Sequence, residues 1–251
     1  MKSIDNAMRA LRLLVDNGGE LRVGDTSRHL DMTRGNASRL LASLARGGLL
    51  EQDPSTQRYR AGILAVQIAA SFHRNFDLVE QARKEMEELA HQTEHTVWLG
   101  VPSGTEVIVL KTVRGPQPIQ FTVEPGHKLP AHAAAMGKAL LALKTDQEIR
   151  TLYSSSPGLS AQRANISVEA LLRDIAVTRM RGYAVSDQEL FEGVRAVSVS
   201  FEDPQKSMSV AISVSYPLFA IERTGDQLIV EALLTFGRGF GARIGDKRWI
   251  F

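Results

Sequence analysis

There is no cysteine among the 251 residues, which excludes disulfides, thiolate catalysis and cysteine-ligated zinc. No apolar run approaches the ~18 residues that a membrane span requires. The opening residues Met1-Lys2-Ser3-Ile4-Asp5-Asn6 lack an apolar signal region and a small-residue cleavage site, so a cytoplasmic location is expected. Enzyme motifs are sparse as well. No Gly-x-Ser-x-Gly elbow occurs. Gly137-Lys138 suggests a phosphate loop, but His132 stands where its upstream glycine is required. Gly237-Arg238-Gly239-Phe240-Gly241 follows no strand and opens no βαβ unit, so it is not a dinucleotide fingerprint. His91 and His95, four apart on an expected helix, could hold a metal, as could His127 and His132 around a proline-containing loop, but no third ligand is marked. The expectation is therefore of no metal, no cofactor and no catalysis. An enzyme acting on a small carboxylate, with an accessory DNA-binding module, is the alternative.

Net charge is also nearly absent, at +2, yet its distribution is uneven. Residues 1–60 carry ten Lys/Arg against seven Asp/Glu, and the remainder 20 against 21. Between Asp31 and Glu51 there is no acid, while Arg34, Arg39 and Arg46 are present. Such a local excess suits a phosphate-facing surface.

The same sixty residues read as three helices and a hairpin. Ile4, Met8, Leu11, Leu14 and Val15 recur at helical spacing, and Asn17-Gly18-Gly19 ends that helix. A second helix fits Val23 to Leu30. Thr33 is a good N-cap for a third, which carries Leu40, Leu41 and Leu44 on its buried face. Gly47-Gly48 closes it, and Leu49-Leu50, Asp53 to Gln57 and Arg58-Tyr59-Arg60 read as strand, turn, strand. This is the plan of a winged helix-turn-helix, whose recognition helix needs one greasy face and one face of donors. The donors expected to meet DNA are Thr33, Arg34, Asn36, Ser38 and Arg39, with Arg58 and Arg60 on the wing. Arg34 and Asn36 suit base edges; Ser38 and Arg39 suit phosphates.

Helical spacing continues through Ile63–Ala69, breaks at Asn75-Phe76-Asp77 and resumes with Leu78, Val79, Ala82, Met86, Leu89 and Ala90. From Thr96 the period changes to that of strands: Val97–Val101, Val107–Leu110 and Ile119–Val123. Helices are expected at Ala134–Leu143, Gln147–Tyr153 and Val168–Arg181, strands at Tyr183–Val185, Val194–Phe201 and Met208–Ser215, and a last helix at Phe219–Phe236. Ser154-Ser155-Ser156 reads as a loop. The fold class expected is α+β, a mixed sheet with helices around it behind the winged helix. The expected boundaries are 1–62 for the winged helix, 63–90 for connecting helices and 91–251 for the second domain.

The run Thr33-Arg34-Gly35-Asn36-Ala37-Ser38-Arg39-Leu40-Leu41-Ala42-Ser43-Leu44, with Gly47-Gly48-Leu49-Leu50 and Arg58-Tyr59-Arg60-Ala61-Gly62, resembles the DNA-binding domain of IclR-type transcriptional regulators. Leu129 to Ala142, Arg181 to Glu189 with Gly193-Val194-Arg195, and Ala211 to Pro217 resemble that family's effector domain. The resemblance spans nearly the whole chain. It implies a GAF-like effector-binding domain, dimers or dimers of dimers on a pseudo-palindromic double-stranded operator, and small, usually carboxylated effectors. Asn36 stands where the family usually has Thr or Ser, and Ser38 where an aromatic or His is common, so the operator sequence is expected to differ.

The second domain's residues support an anion pocket. Ala135 and Met136 open a helix whose free N–H groups suit a carboxylate. Ser213 and Ser215 share one strand face. Ser186, Asp187 and Glu189 could bind a ligand hydroxyl or close the mouth. Ala134 and Ala196 stand where the family often has polar side chains, which favours an effector with an apolar or aromatic body.

Overall fold

The structure is a computed structural model describing residues 2–75, 77–154, 159–160, 165–204, 208–221 and 226–250. Phe76, Ser155, Ser156 and residues 222–225 of the expected last helix lie outside the described residues. Contacts divide the chain into two compact units, Met1–Asp77 and Leu78–Phe251.

The first unit is built from α1 (Lys2–Asp16), β1 (Glu20–Leu21), α2 (Val23–His29), α3 (Arg34–Arg46), β2 (Leu50–Gln52), β3 (Tyr59–Ala61) and α4 (Ile63–Asn75). Its core gathers Ala10, Leu14, Leu21, Leu30, Leu41, Leu50 and Tyr59. α1 is apolar over a wider arc than this core uses: Ala10 and Leu14 are buried, whereas Ile4, Met8 and Val15 are more than half exposed. Two strands were expected and three are found. β1 pairs antiparallel with β3, adding Glu20 opposite Arg60 and Leu21 opposite Tyr59. Two residues are too few for alternation to announce a strand.

The second unit is an antiparallel six-stranded sheet with helices on both faces. Its strands are β4 (Thr96–Ser103), β5 (Glu106–Val113), β6 (Lys128–Pro130), β9 (Ala184–Asp187), β10 (Val194–Asp203) and β11 (Met208–Pro217), in the order β6-β5-β4-β11-β10-β9. A separate two-stranded sheet joins β7 (Leu159–Ser160) to β8 (Asn165–Ile166). Every ladder of the large sheet is antiparallel, where a mixed sheet was expected, because hairpins rather than helical crossovers join β4 to β5 and β10 to β11. The helices are α5 (Asp77–Thr93), α6 (Ala135–Leu141), α7 (Asp146–Tyr153), α8 (Val168–Arg181) and α9 (Gln227–Ile244). α5 buries the expected stripe of Leu78, Val79, Ala82, Met86, Leu89 and Ala90. α6 packs on one sheet face, against β10 and β11. On the other face Phe201 meets the rings of Phe236 and Phe240 from α9 at 6.1 and 5.0 Å.

Two expectations fail here. Ile119–Val123 alternates like a strand but is irregular. Its polar members bond locally instead: Gln120 Nε2 donates to the carbonyls of Gly115 and Gln117, and Thr112 Oγ1 donates to the Val123 carbonyl. The last helix begins eight residues late and runs on past the expected Phe236 to Ile244, through Gly237, Gly239 and Gly241. Cβ atoms at Gly237 and Gly241 would lie 2.5 and 2.4 Å from the Trp249 side chain. Those glycines are therefore the bed for an aromatic ring, not a stop signal.

Candidate recognition helix and effector cavity

α3 begins as its sequence requires. Thr33 Oγ1 accepts a hydrogen bond from the Asn36 N–H at 3.3 Å, a cap of about 1 kcal/mol. Ala37 and Leu41, one turn apart, are buried, and Leu40 and Leu44 are half-buried against the core. That leaves Arg34, Asn36, Ser38 and Arg39 exposed on the remaining surface. Arg39 Nη2 donates to Asn36 Oδ1 at 2.6 Å, so these two side chains form one hydrogen-bonded pair on the exposed face. Gly35 is exposed, and a Cβ there would meet nothing within 4 Å.

The wing arginines are not free cations. Arg58 is paired with Glu20 and Arg60 with Glu51. At the wing tip the Ser55 hydroxyl and the N–H groups of Thr56 and Ser55 converge on Asp53 and hold its carboxyl below the usual range.

In the second unit the start of α6 is set by contact. A Cβ at Gly137 would lie 2.2 Å from Ala131 Cα, so only glycine lets the helix begin so tightly on the Pro130–Ala134 turn. Its N-cap is Ala134, which offers no side-chain bond to the first N–H groups. These small residues form one wall of a narrow cavity of about 340 Å³, including its open mouth. Ala134, Ala135, Met136, Ser186, Ala196, Ser213 and Ser215 all line it. Register explains the opposite wall: Ser186 pairs with Ala196, which pairs with Ser215, a row across three strands on one sheet face.

The chemistry differs in detail from expectation. Ser213 Oγ already donates to the Val197 carbonyl at 2.9 Å. Ser215 Oγ is buried without a partner among the described residues, and so is Trp98 Nε1. Trp98 was missed by sequence reasoning, as were Phe121, Leu129, Leu190, Phe191 and Val194. Trp98 stands opposite Ser213 across the β11–β4 ladder, and its ring lies 5.7 Å from Phe121, which is 4.3 Å from Phe191. An aromatic slot with two unsatisfied donors results.

Asp187 and Glu189 do not line the cavity. Asp187 pairs with Arg195 at 2.6 Å. Glu189 pairs at 2.6 Å with Lys138, which is only 2% exposed and also meets Asp174 at 2.6 Å. Burial raises the Glu189 pKa, against the opposing pull of Lys138. The pair ties α6 to the segment carrying Leu190 and Phe191, so these acids shape the cavity from behind. The histidines also separate. α5 ends at Thr93 and Glu94 turns with φ +62°, which leaves His91 exposed and His95 buried 5.6 Å from the Tyr216 ring. Among the described residues no three His, Cys, Asp or Glu side chains cluster as metal ligands, and no helix is long and apolar enough to cross a membrane.

A winged helix followed by an α+β unit with a lined cavity defines a transcriptional regulator with a helix-turn-helix DNA-binding domain and an effector domain. Family models agree: the IclR helix-turn-helix domain matches residues 3–54, and the bacterial transcriptional regulator IclR C-terminal domain matches residues 70–240. The chain belongs to the IclR family. It is 28% identical over 216 residues to the regulator XynR of Escherichia coli (strain K12), covering 86% of each chain. It is 30% identical over 218 residues to BhcR of Paracoccus denitrificans (strain Pd 1222), covering 86% of this chain and 78% of that one. Both relatives are named as transcriptional regulators. Among solved structures, an IclR transcriptional regulator from Alicyclobacillus acidocaldarius matches with TM-score 0.82 at 24% identity, over 98% and 99% of the two chains. An IclR homologue from Microbacterium hydrocarbonoxydans, complexed with 4-hydroxybenzoate, matches with TM-score 0.80 at 19% identity, over 96% and 98%.

Proposed function

We propose that this protein is a cytoplasmic regulator whose affinity for a pseudo-palindromic operator changes when a small organic acid with an aromatic or apolar body enters the cavity. The observation that carries this reading is the pairing of two buried, unpartnered donors, Trp98 Nε1 and Ser215 Oγ, with walls that are otherwise mostly apolar. Unsatisfied buried donors are costly unless something pairs them. A carboxylate does so, assisted by the uncapped N–H groups of Ala135 and Met136, while the body stacks beside Trp98, Phe121 and Phe191. The 4-hydroxybenzoate held by the Microbacterium homologue is an acid of this class. The helix is short, so individual N–H groups rather than a long dipole do this work.

On the DNA side, Arg34 reads a base edge, Thr33 and Ser38 meet phosphates, and the Asn36–Arg39 pair straddles both. Functional division follows 1–62, 63–90 and 91–251. Exposed Ile4, Met8 and Val15 on α1, with Ile63, Val66 and Ile68 on α4, supply apolar surface for a symmetric oligomer, dimer or dimer of dimers, and two-fold symmetry suits two half-sites. The test is calorimetry with an aromatic carboxylate panel on wild type and Ser215→Ala. An effector should bind wild type and weaken about tenfold in the variant, as for a charge-assisted bond. Equal affinity would remove Ser215 from the site, and no binding across the panel would contradict the effector class.

A further inference from the structure

The second unit contains another, wider cavity of about 1050 Å³, including its open mouth. It begins where β9 ends. β9 pairs with β10 only from Arg195 to Ser198; beyond Ser198 side chains meet the edge of β10 instead, the Ser200 carbonyl accepting from Trp249 Nε1 and Arg248 Nη2 and the Glu202 N–H donating to Asp246. α6 borders both cavities, presenting Ala134, Ala135 and Met136 to the first and Ala139, with its C-cap Ala142, to the second.

The lining of this second cavity is chemically one-sided. Leu143, Val199, Leu234 and Trp249 give it an apolar floor, Arg179, Arg238 and Arg248 stand around it, and among the described residues no acidic side chain lines it. The three cations are not equivalent. Arg179 is held by Asp146 at 2.7 Å and by the carbonyls of Ala142 and Lys144. Arg248 is fastened to Asp246. Arg238 donates only to the Thr235 hydroxyl of its own helix and has no carboxylate partner among the described residues. A fourth group points the same way. Thr178 is 3% exposed, lines the cavity, and its hydroxyl has no partner among the described residues. A buried hydroxyl left alone is unfavourable, whereas one beside an organic anion donates a charge-assisted bond.

We propose that this cavity is a second effector site, for an organic carboxylate with a flat apolar body larger than the first cavity admits. Arg238 pairs the carboxylate, Thr178 supplies the second donor, and the body lies on Leu234 and Trp249. Volume fits the class: the part of the cavity that water can occupy is about 450 Å³, and pockets of roughly 300–1,000 Å³ hold ligands of that size. The inference stands apart from the first cavity, which shares none of these residues.

The two tryptophans of the chain allow the sites to be told apart, since Trp98 lines the first cavity and Trp249 the second. Full-length protein labelled with fluorotryptophan, with its resonances assigned by Trp98→Phe, is titrated with 2-naphthoate and followed by fluorine NMR. The Trp249 resonance should shift saturably, in wild type and equally in Ala135→Leu, whose first cavity is filled. Arg238→Gln should weaken the binding about tenfold, and uncharged 2-naphthamide should bind as weakly. Thr178→Val should lower affinity while raising the Tm of the ligand-free protein, a split that a purely structural threonine would not give. An unmoved Trp249 resonance overturns the proposal, as does a shift indifferent to Arg238→Gln and Thr178→Val. So does a fall in oligomer mass by light scattering in Arg238→Gln with no 2-naphthoate effect, which would assign the groove to a contact between copies of this chain.

Discussion

Three glycines in α9 face different surroundings, and alanine at each should reveal it. Gly239 is exposed and a Cβ there meets nothing within 4 Å. Gly239→Ala should therefore gain the helix-propensity difference, about 0.8–1 kcal/mol. At Gly241 the new Cβ would lie 2.4 Å from Trp249 Cγ. Apolar carbons rest at roughly 3.5–4 Å, so the ring must retreat by about 1 Å. It is held there by a bond from Trp249 Nε1 to the Ser200 carbonyl at 3.2 Å and by Phe201, 5.4 Å away. Overpacking costs about 1–3 kcal/mol and a strained hydrogen bond about 1 more. Subtracting the propensity gain leaves Gly241→Ala destabilised by about 1–3 kcal/mol. In a domain of this size 1 kcal/mol moves Tm by roughly 2–4 °C. Scanning calorimetry should thus show Gly239→Ala melting a few degrees higher than wild type and Gly241→Ala several degrees lower, with Gly237→Ala following Gly241→Ala. If Gly241→Ala melts higher, as Gly239→Ala does, the packing of the C-terminal segment on α9 is wrong.

Further predictions follow from the paired charges. Arg34→Ala should cost about 1–3 kcal/mol of operator binding and relax the preference at one base pair, checked by fluorescence anisotropy on operator variants. Glu20→Gln frees Arg58 and should tighten binding to all sequences alike, with a steeper salt dependence; an unchanged salt slope would keep Arg58 off the phosphates. Lys138→Met leaves Asp174 and Glu189 without their cation and should cost about 2–3 kcal/mol by urea denaturation. That lies below the ~3–5 expected for a fully buried pair, because the acids are about a quarter to a third exposed. Glu189→Gln keeps Lys138 paired with Asp174 and should cost far less. Burial lowers the His95 pKa despite Glu94 nearby. A depressed folded pKa gives stability that is present above the unfolded value of 6.5 and lost as pH falls through the folded one. Tm should therefore drop between pH 7 and 5 less steeply in His95→Phe than in wild type.

What the sequence disclosed was whatever its local rules encode. The Thr33 cap, the leucine face and the wing turn are each decided within a few residues, so α3 was placed correctly, although Ala37 rather than Leu40 or Leu44 joins Leu41 as its buried pair. The start of α6 and the alternation of Ser213 and Ser215 were legible for the same reason. What escaped depends on distant partners. Trp98 and Phe191 reach one cavity only because β4 meets β11 and because Lys138 holds Glu189. Asp187 and Glu189 carry the polarity expected of a site, yet each serves a cation that sequence spacing does not reveal. The Phe121 segment alternates perfectly but spends its hydrogen bonds locally. Gly237 and Gly241 are helix breakers by composition and helix residues by virtue of a tryptophan that follows Gly241 by eight positions.

The central claim is that an acid in the first cavity controls operator binding, and one measurement tests it most directly. Operator affinity is measured by anisotropy with and without the acid identified by calorimetry, for wild type and for Ala135→Leu, whose larger side chain fills the cavity. A ligand regulates only through unequal affinity for two states of the protein. The account predicts a change of about 5–150-fold in wild type, or about 1–3 kcal/mol of coupling. It predicts no change in Ala135→Leu, whose ligand-free DNA binding stays normal. An effector that still shifts operator affinity in Ala135→Leu by the wild-type factor would contradict it.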